Sequence, residues 1–178
     1  MLQLHKIVGA EIKKWAFLHG GLDEAITNVG HHAYPQNCSI RQVHRNWYLT
    51  GSFNAASKEL KVVFYDQGIG IPRSLPSSKL WERILSRLSS LPAVEARKHA
   101  TLIRAAMNVN RTRTSQSDRG KGLPDMKEFI IHRGGGYLTI MSGFGLYKFS
   151  IVSGKQQERS DRLDVPIEGT LIIWKVEL

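Results

Sequence analysis

The stretch that most constrains this chain is ELKVVFYDQGIGIP, from Glu59 to Pro72. Its first half is an apolar run that indicates a buried β-strand, and the strand ends on a carboxylate, Asp66. Two glycines follow at alternate positions, Gly68 and Gly70, where a plain turn would need only one. The pattern lacks the third glycine of a dinucleotide-binding fingerprint and the lysine of a phosphate loop. On its own it is also the pattern of an ordinary turn, so the rest of the chain has to decide.

The composition is that of a globular protein. We expect residues 1–178 to form one domain with a proper hydrophobic core. The hydrophobic content of 42% is ordinary, and no run of about 18 apolar residues is present to cross a membrane. The single cysteine, Cys38, excludes an internal disulfide and suits a reducing cytoplasm, so we expect a cytoplasmic protein.

The charge requires an anionic partner. The net charge is +10 and the isoelectric point is about 9.9. Nucleic acid is one such partner, but no zinc-finger spacing, aromatic RNA-binding motif or basic heptad accompanies the charge. A nucleoside triphosphate is another anion, and we expect it rather than nucleic acid.

The order of elements predicts an α+β fold. We expect a helix over residues 2–18 within an N-terminal segment 1–20, a break at His-Gly-Gly, and a second helix over 22–34. Two strands follow, over 43–53 and 59–66, and then a partly helical insertion at 71–119. A helix from Pro124 to about Gly134 precedes three strands over 136–143, 145–154 and 169–178, with a charged loop at 155–164. This order favours one mixed sheet that helices cover on one face.

A second motif is EAITN, which places Glu24 and Asn28 four residues apart on the predicted second helix. Residues at this spacing share a helix face, here the one opposite the apolar stripe. A solvated helix face is the simpler interpretation. The alternative is a general base beside a magnesium ligand, because a carboxylate accepts protons and an amide oxygen is a hard ligand.

The chemistry of Asp66 favours adenine as the group that it contacts. An ionised carboxylate only accepts hydrogen bonds, so it can bind the exocyclic amine of adenine but opposes the carbonyl of guanine. Glycines at positions 68 and 70 would let the backbone approach a flat ring.

A third motif is RGKGLPD, in which Gly120, Lys121 and Gly122 lead into the helix at Pro124. A glycine-flanked helix N-terminus binds phosphate, and the lysine adds a positive charge. The same letters would also suit a glycine-rich helix entry with an incidental lysine.

Taken in order, these motifs resemble those of the GHKL superfamily, which includes gyrases, heat-shock chaperone ATPases, histidine kinases and mismatch-repair proteins. The acidic-x3-Asn helix is similar to the family's asparagine box, and the Asp-x-Gly-x-Gly and Gly-x-Gly-Leu motifs are similar to its two glycine boxes. The terminal EGTLIIW is similar to its last strand, which would place Thr170 near Asp66. The resemblance implies a Bergerat-type two-layer sandwich with residues 71–119 as a long helical lid over ATP.

The resemblance also implies site residues and a function. Glu24 would be the catalytic base and Asn28 the Mg²⁺ ligand; ATP would be bound by Asp66, Gly68, Gly70, Gly120, Lys121, Gly122, Leu123 and Thr170. Within the superfamily DEAITNVGHHAY is most similar to the anti-sigma factor serine kinases, which implies an ATPase or a protein serine/threonine kinase. A regulatory partner protein and a second copy of the chain are the protein partners implied. Two alternatives stay open: a non-catalytic, ATP-gated interaction module, and a histidine kinase catalytic domain without its phosphoacceptor helix.

Overall fold

The computed structural model describes residues 15–78, 80–109 and 123–178. Its longer elements are the helices α1 (Trp15–Asn28), α2 (Ile71–Ser74), α3 (Trp81–Leu88), α4 (Ala93–Ala96), α5 (His99–Met107) and α6 (Glu128–Arg133), and the strands β1 (Trp47–Asn54), β2 (Glu59–Asp66), β3 (Gly136–Val152) and β4 (Lys155–Glu177). A wide π-helical turn (Val29–Ala33) extends α1, and 3₁₀ turns lie at Gln42–His44, Leu75–Ser77 and Leu123–Lys127. No helix among the described residues is long and apolar enough to cross a membrane.

The four strands form one sheet in the order β1-β2-β4-β3. The described helices pack on one face of it, so the predicted α+β class and one-sided cover are confirmed. Every strand pairing in the described part of the chain is antiparallel, however, whereas a mixed sheet was expected. The core lies between sheet and helices and includes Leu60, Phe64, Ile140, Ile172 and Trp174.

The C-terminal part of the sheet is one long hairpin and not three strands. The segment 155–164, expected to be a charged loop, belongs to β4 and pairs with β3 from Gly145↔Arg162 to Val152↔Lys155. Ser153 and Gly154 close this hairpin with positive φ angles of 50° and 74°, as a two-residue hairpin turn requires. The charged segment is therefore a strand whose side chains are mostly exposed, which a search for apolar alternation does not find. We call residues 145–165 the hairpin arm.

Helix α1 runs without a break through His19, Gly20 and Gly21, where the sequence predicted an end. A Cβ at position 21 would lie 3.4 Å from both the Met126 Cα and the Trp174 ring. The glycine therefore lets the helix pack closely on the sheet instead of ending it. The part of the predicted N-terminal helix before Trp15 lies outside the described residues.

The insertion is helical, as predicted, over the part that is described, which ends at Val109. Its helices form a second, smaller core that contains Leu75, Ile84, Leu88 and Leu102. Leu123 packs against both cores. Residues 110–119 of the predicted lid lie outside the described part of the chain.

Candidate functional site

A cavity of about 400 Å³ lies between α1, the end of β2, the start of the insertion and β4. Six of the residues proposed from the sequence line it: Glu24, Asn28, Asp66, Gly70, Leu123 and Thr170. Phe64, Ile172 and Ile71 give it apolar walls. Gly120, Lys121 and Gly122 lie outside the described residues.

The sheet register brings together a row of polar side chains, two of which, Asp66 and Thr170, line the cavity. Asp66 pairs with Thr170, and Thr170 pairs with Ser142 on β3. Asp66 Oδ1 accepts a hydrogen bond of 2.8 Å from the Gly68 amide, and Thr170 donates to the same carboxylate from its hydroxyl and its backbone amide. All three side chains are buried on the helix-covered face of the sheet, where an apolar residue would be expected.

Burial raises the pKa of Asp66 above its ordinary value of 3.8, and the hydrogen bonds from Gly68 and Thr170 oppose that rise only in part. No Lys or Arg among the described residues forms an ion pair with it. A buried carboxylate without a cation is costly for the fold, and such groups concentrate in binding sites.

Ser142 does not line the cavity but bonds to residues at its edge, and the sequence motifs did not indicate it. Its hydroxyl donates to the Gly169 carbonyl at 2.7 Å and accepts from the Ile71 amide at 2.9 Å. It thereby connects the last strand to the first turn of the insertion. Only the register of β3 against β4 reveals it, because the residue lies in an ordinary strand sequence.

The glycines serve contacts inside the protein. Gly70 has φ +80°, and a Cβ there would lie 2.5 Å from Ser142 Oγ. Gly169 has φ +79°, and a Cβ there would collide with the Asp66 carbonyl oxygen. Gly68 does not line the cavity; a Cβ there would overlap Ala33 at the end of the π-helical turn. Gly68 therefore lets the loop after β2 pack on that turn.

The second polar pair of the cavity is on α1. Glu24 is only 6% exposed, and Asn28 Nδ2 donates a hydrogen bond of 3.1 Å to its Oε1. The prediction that Glu24 lies on the face of α1 opposite the apolar stripe was wrong. Ile26 is exposed, whereas Glu24 lies beside the apolar stripe and lines the cavity. A solvated helix face is thus excluded for Glu24.

The π-helical turn joins α1 to the loop after β2. The Ile69 amide donates to the Ala33 carbonyl at 2.9 Å, and the Gln67 amide donates to the Tyr34 hydroxyl at 3.1 Å. His31 and His32 lie on this turn and line the cavity. These bonds hold the helix with Glu24 against the strand end with Asp66.

The insertion contributes one wall of the cavity, which includes Ser74, Ser77 and Ser78. Ser74 Oγ donates to the Ile71 carbonyl. Ser78 Oγ is buried and has no hydrogen-bond partner among the described residues. An orphaned hydroxyl at a cavity wall is a group that a polar ligand could satisfy.

Comparisons with known proteins come from solved structures. No family model and no curated protein matches the sequence. The B-subunit of DNA gyrase from Myxococcus xanthus is 9% identical with a TM-score of 0.42, over 90% of this chain and 36% of that one. The topoisomerase IV ATP-binding domain of Francisella tularensis is 10% identical with a TM-score of 0.41, over 89% of this chain and 35% of that one.

This chain thus spans about a third of the length of the solved chains that it matches. With identities and TM-scores this low, the similarity decides nothing about the chemistry. The residues of the cavity have to carry the functional argument.

Proposed function

We propose that this chain binds Mg-ATP in the 400 Å³ cavity and either hydrolyses it or transfers its γ-phosphoryl group to a partner protein. One observation carries the proposal: Asp66 and Glu24, two buried carboxylates from separate elements, line one mostly apolar cavity. The order of the motifs, which resembles that of the GHKL superfamily, supports the same conclusion.

Asp66 would recognise adenine. Its carboxylate accepts hydrogen bonds, which suits the exocyclic amine of adenine and opposes the carbonyl of guanine. Phe64 and Ile172 offer apolar surfaces for the faces of the ring, and Thr170 holds the carboxylate in place. The hydrogen-bond acceptor and the apolar surfaces at this end of the cavity fit a purine with an exocyclic amine.

Glu24 and Asn28 would act at the phosphates. Because the amide nitrogen of Asn28 donates to Glu24, the amide oxygen remains as a hard ligand for Mg²⁺. Mg²⁺ usually takes one or two protein ligands and fills its remaining positions with water and phosphate, so this oxygen fits such an ion. Glu24 would accept the proton of the attacking hydroxyl, from water or from a partner's side chain.

The insertion 71–119 would be the ATP lid, with Gly120, Lys121 and Gly122 as the phosphate cradle. Two described features support the lid: residues 71–78 form a cavity wall, and the Ser78 hydroxyl there lacks a partner. A ligand phosphate or ribose would satisfy that hydroxyl.

The test has a binding arm and a turnover arm. In calorimetry with Mg²⁺, ATP should bind at least about tenfold more tightly than GTP; equal affinities would contradict the adenine assignment of Asp66. With γ-labelled ATP, wild type should release phosphate or label a partner. Glu24→Gln should bind ATP with unchanged affinity and turn it over at least about a hundredfold more slowly, because a general base contributes about 10²–10⁴-fold.

Asn28→Ala gives the matched test of the metal. It should bind ATP as weakly with Mg²⁺ as wild type does with EDTA. If Mg²⁺ still strengthens ATP binding in this variant, another group holds the ion.

A non-catalytic, ATP-gated interaction module is the second candidate, and one observation favours it. Helix α5 borders the nucleotide cavity through Ala106 and a separate surface groove through Arg104 and Ala105. Tight ATP binding without any release or transfer of phosphate by wild type would select this candidate.

A further inference from the structure

A second cavity, of about 690 Å³, is an open groove between the insertion and the hairpin arm. We call it the basic groove. Its charged lining consists of Arg87, Arg97, Lys98, Arg104 and Arg162 against Glu95 and Asp161. Among the described residues, five cations thus face two carboxylates, on a surface that the ATP proposal does not use.

Both carboxylates of the groove already have cationic partners. Glu95 pairs with Lys98 at 2.5 Å, and Asp161 pairs with Arg159 at 2.6 Å. Arg87, Arg97 and Arg162 have no carboxylate within 4.0 Å among the described residues. The groove therefore holds guanidinium groups whose charge the described part of the chain does not neutralise.

His99 does not add to this charge. Burial lowers its pKa, and the charge of Arg73 lowers it further. Its Nδ1 accepts a hydrogen bond of 3.0 Å from the Phe144 amide, which requires that nitrogen to be unprotonated. The positive potential thus comes from side chains that stay charged at every physiological pH.

The floor of the groove is apolar. Leu88 and Ala105 are buried there, whereas Leu91 and Phe144 are each more than a third exposed. The Arg162 guanidinium lies 5.3 Å from the centre of the Phe144 ring, so one wall offers both a cation and an apolar face. The groove combines a basic rim with apolar contact surface.

The two walls are held together closely. A Cβ at Gly145 would lie 2.7 Å from the Ala100 amide nitrogen, so the glycine lets the arm pack directly on the start of α5. Lys127 and Asn108 both bond to Glu158 on the arm, at 2.9 and 3.2 Å. A groove with fixed walls binds without first being ordered, which favours affinity.

We propose that the basic groove binds an acidic segment of a partner protein, with one or two apolar side chains of that segment on Leu91 and Phe144. Charge complementarity selects glutamate- or aspartate-rich chains, and the aliphatic floor selects apolar anchors. A single-stranded nucleic acid fits less well, since base stacking needs a series of aromatic platforms, and Phe144 is the one Phe, Tyr or Trp among the described residues that line the groove. The inference does not depend on ATP binding.

The test uses fluorescence anisotropy with three labelled probes and no nucleotide. The first is a short peptide with leucines four residues apart and glutamates elsewhere; the second has lysines in place of the glutamates; the third is an oligothymidylate of equal charge to the first. The acidic peptide should bind at least about tenfold more tightly than either of the others. Equal or tighter binding of the oligothymidylate would overturn the proposal in favour of nucleic acid, and no binding of the acidic peptide would also overturn it.

The variants locate the site. The double variant Arg87→Glu with Arg162→Glu should weaken the acidic peptide at least about tenfold, because two attractive charges become repulsive. The double variant Lys58→Glu with Lys155→Glu makes the same change of charge on two exposed residues outside the groove and should change affinity by less than about twofold. Leu91→Ser should weaken the peptide by about threefold or more at high salt, where the apolar contact dominates. Circular dichroism checks that each variant is folded. Equal losses for this control and for the double groove variant would show attraction by net charge alone and would overturn the proposal.

Discussion

The two cavities border the same helix, α5, but their electrostatics are opposite. The 400 Å³ cavity is mostly apolar and places buried carboxylates at its wall, whereas the basic groove is open and has arginines at its rim. The net charge of +10 is therefore no guide to the chemistry of the 400 Å³ cavity. A net charge describes what approaches a protein, while the chemistry of a cavity depends on the few groups that the fold buries there.

Asp66 in the cavity and Glu158 beside the groove have pKa values that their surroundings shift in opposite directions. Asp66 has a raised pKa, because burial outweighs hydrogen bonds from an amide and a hydroxyl. Burial also acts to raise the pKa of Glu158 beside the groove, but bonds from Lys127, Asn108 and Tyr147 and the charge of Lys127 outweigh it, so that pKa is lowered. The buried charge of Asp66 costs the fold stability, which suits a group that binds a ligand. The charge of Glu158 is balanced by its hydrogen bonds and by Lys127, so Glu158 stabilises the hairpin arm.

The largest expected effect is on the free energy of unfolding. It compares two glycines with similar φ, Gly169 beside the cavity and Gly154 at the tip of the hairpin arm. Gly169→Ala should lower the free energy of unfolding by about 4 kcal/mol, because it adds a strained φ and a collision with Asp66 between two central strands. Gly154→Ala at the tip of the arm has no atom within 4 Å of the new Cβ and should cost about 1 kcal/mol. Denaturant unfolding measures both, and equal losses would contradict the close packing at Gly169.

The next effect concerns binding. Asp66→Asn should weaken ATP by about a hundredfold, or about 3 kcal/mol, because the acceptor of the adenine amine loses its charge and one oxygen. The free energy of unfolding at pH 7 should stay the same or rise, since the buried charge disappears. Asp161→Asn in the basic groove is the matched control and should leave ATP affinity unchanged. Calorimetry that shows unchanged ATP affinity in Asp66→Asn would remove Asp66 from the site.

Glu158→Gln should have the opposite effects to Asp66→Asn, with a loss of stability and no change in ATP binding. The free energy of unfolding should fall by about 2 kcal/mol, because Lys127 is only 12% exposed and loses its counter-charge, while ATP affinity should not change. Glu95→Gln removes an exposed partner of Lys98 and should cost less than about 0.5 kcal/mol. Equal losses of the two variants in thermal or denaturant unfolding would contradict the partly buried network at Glu158.

The smallest effect is a difference in pH dependence. Because the folded pKa of Asp66 lies above its unfolded value, wild type should lose stability relative to Asp66→Asn as pH rises from about 3.8 through the folded pKa. Because the folded pKa of Glu158 lies below its ordinary 4.5, the stability it provides is present above pH 4.5 and should be lost as pH falls through the folded value. Each pKa unit corresponds to about 1.4 kcal/mol. The free energy of unfolding of wild type, Asp66→Asn and Glu158→Gln, measured between pH 3 and 7, gives the pH dependence of each carboxylate's contribution. The same sign of slope for both contributions would contradict the opposite environments of the two carboxylates.

Local sequence signals predicted those features that depend on near neighbours. The bounds of β2 are confirmed at Glu59 and Asp66, because an apolar run that ends in a glycine-rich turn is a local pattern. The helical insertion up to Val109 was predicted for the same reason. The break at Gly21 was wrong, because its packing on Trp174 involves a strand more than 150 residues away.

What the sequence by itself determined is the inventory of groups and their short-range spacing. It determined that Glu24 and Asn28 share a helix face, that Asp66 ends a strand, and that Gly169 precedes Thr170. Only the tertiary structure decided that the Glu24 face is buried, that Ser142 lies beside Thr170, and that the charged segment 155–164 pairs as a strand. It also brought Arg87 and Arg162 to one groove. The physical reason is that burial, register and the meeting of distant charges depend on packing between elements, which no local pattern contains.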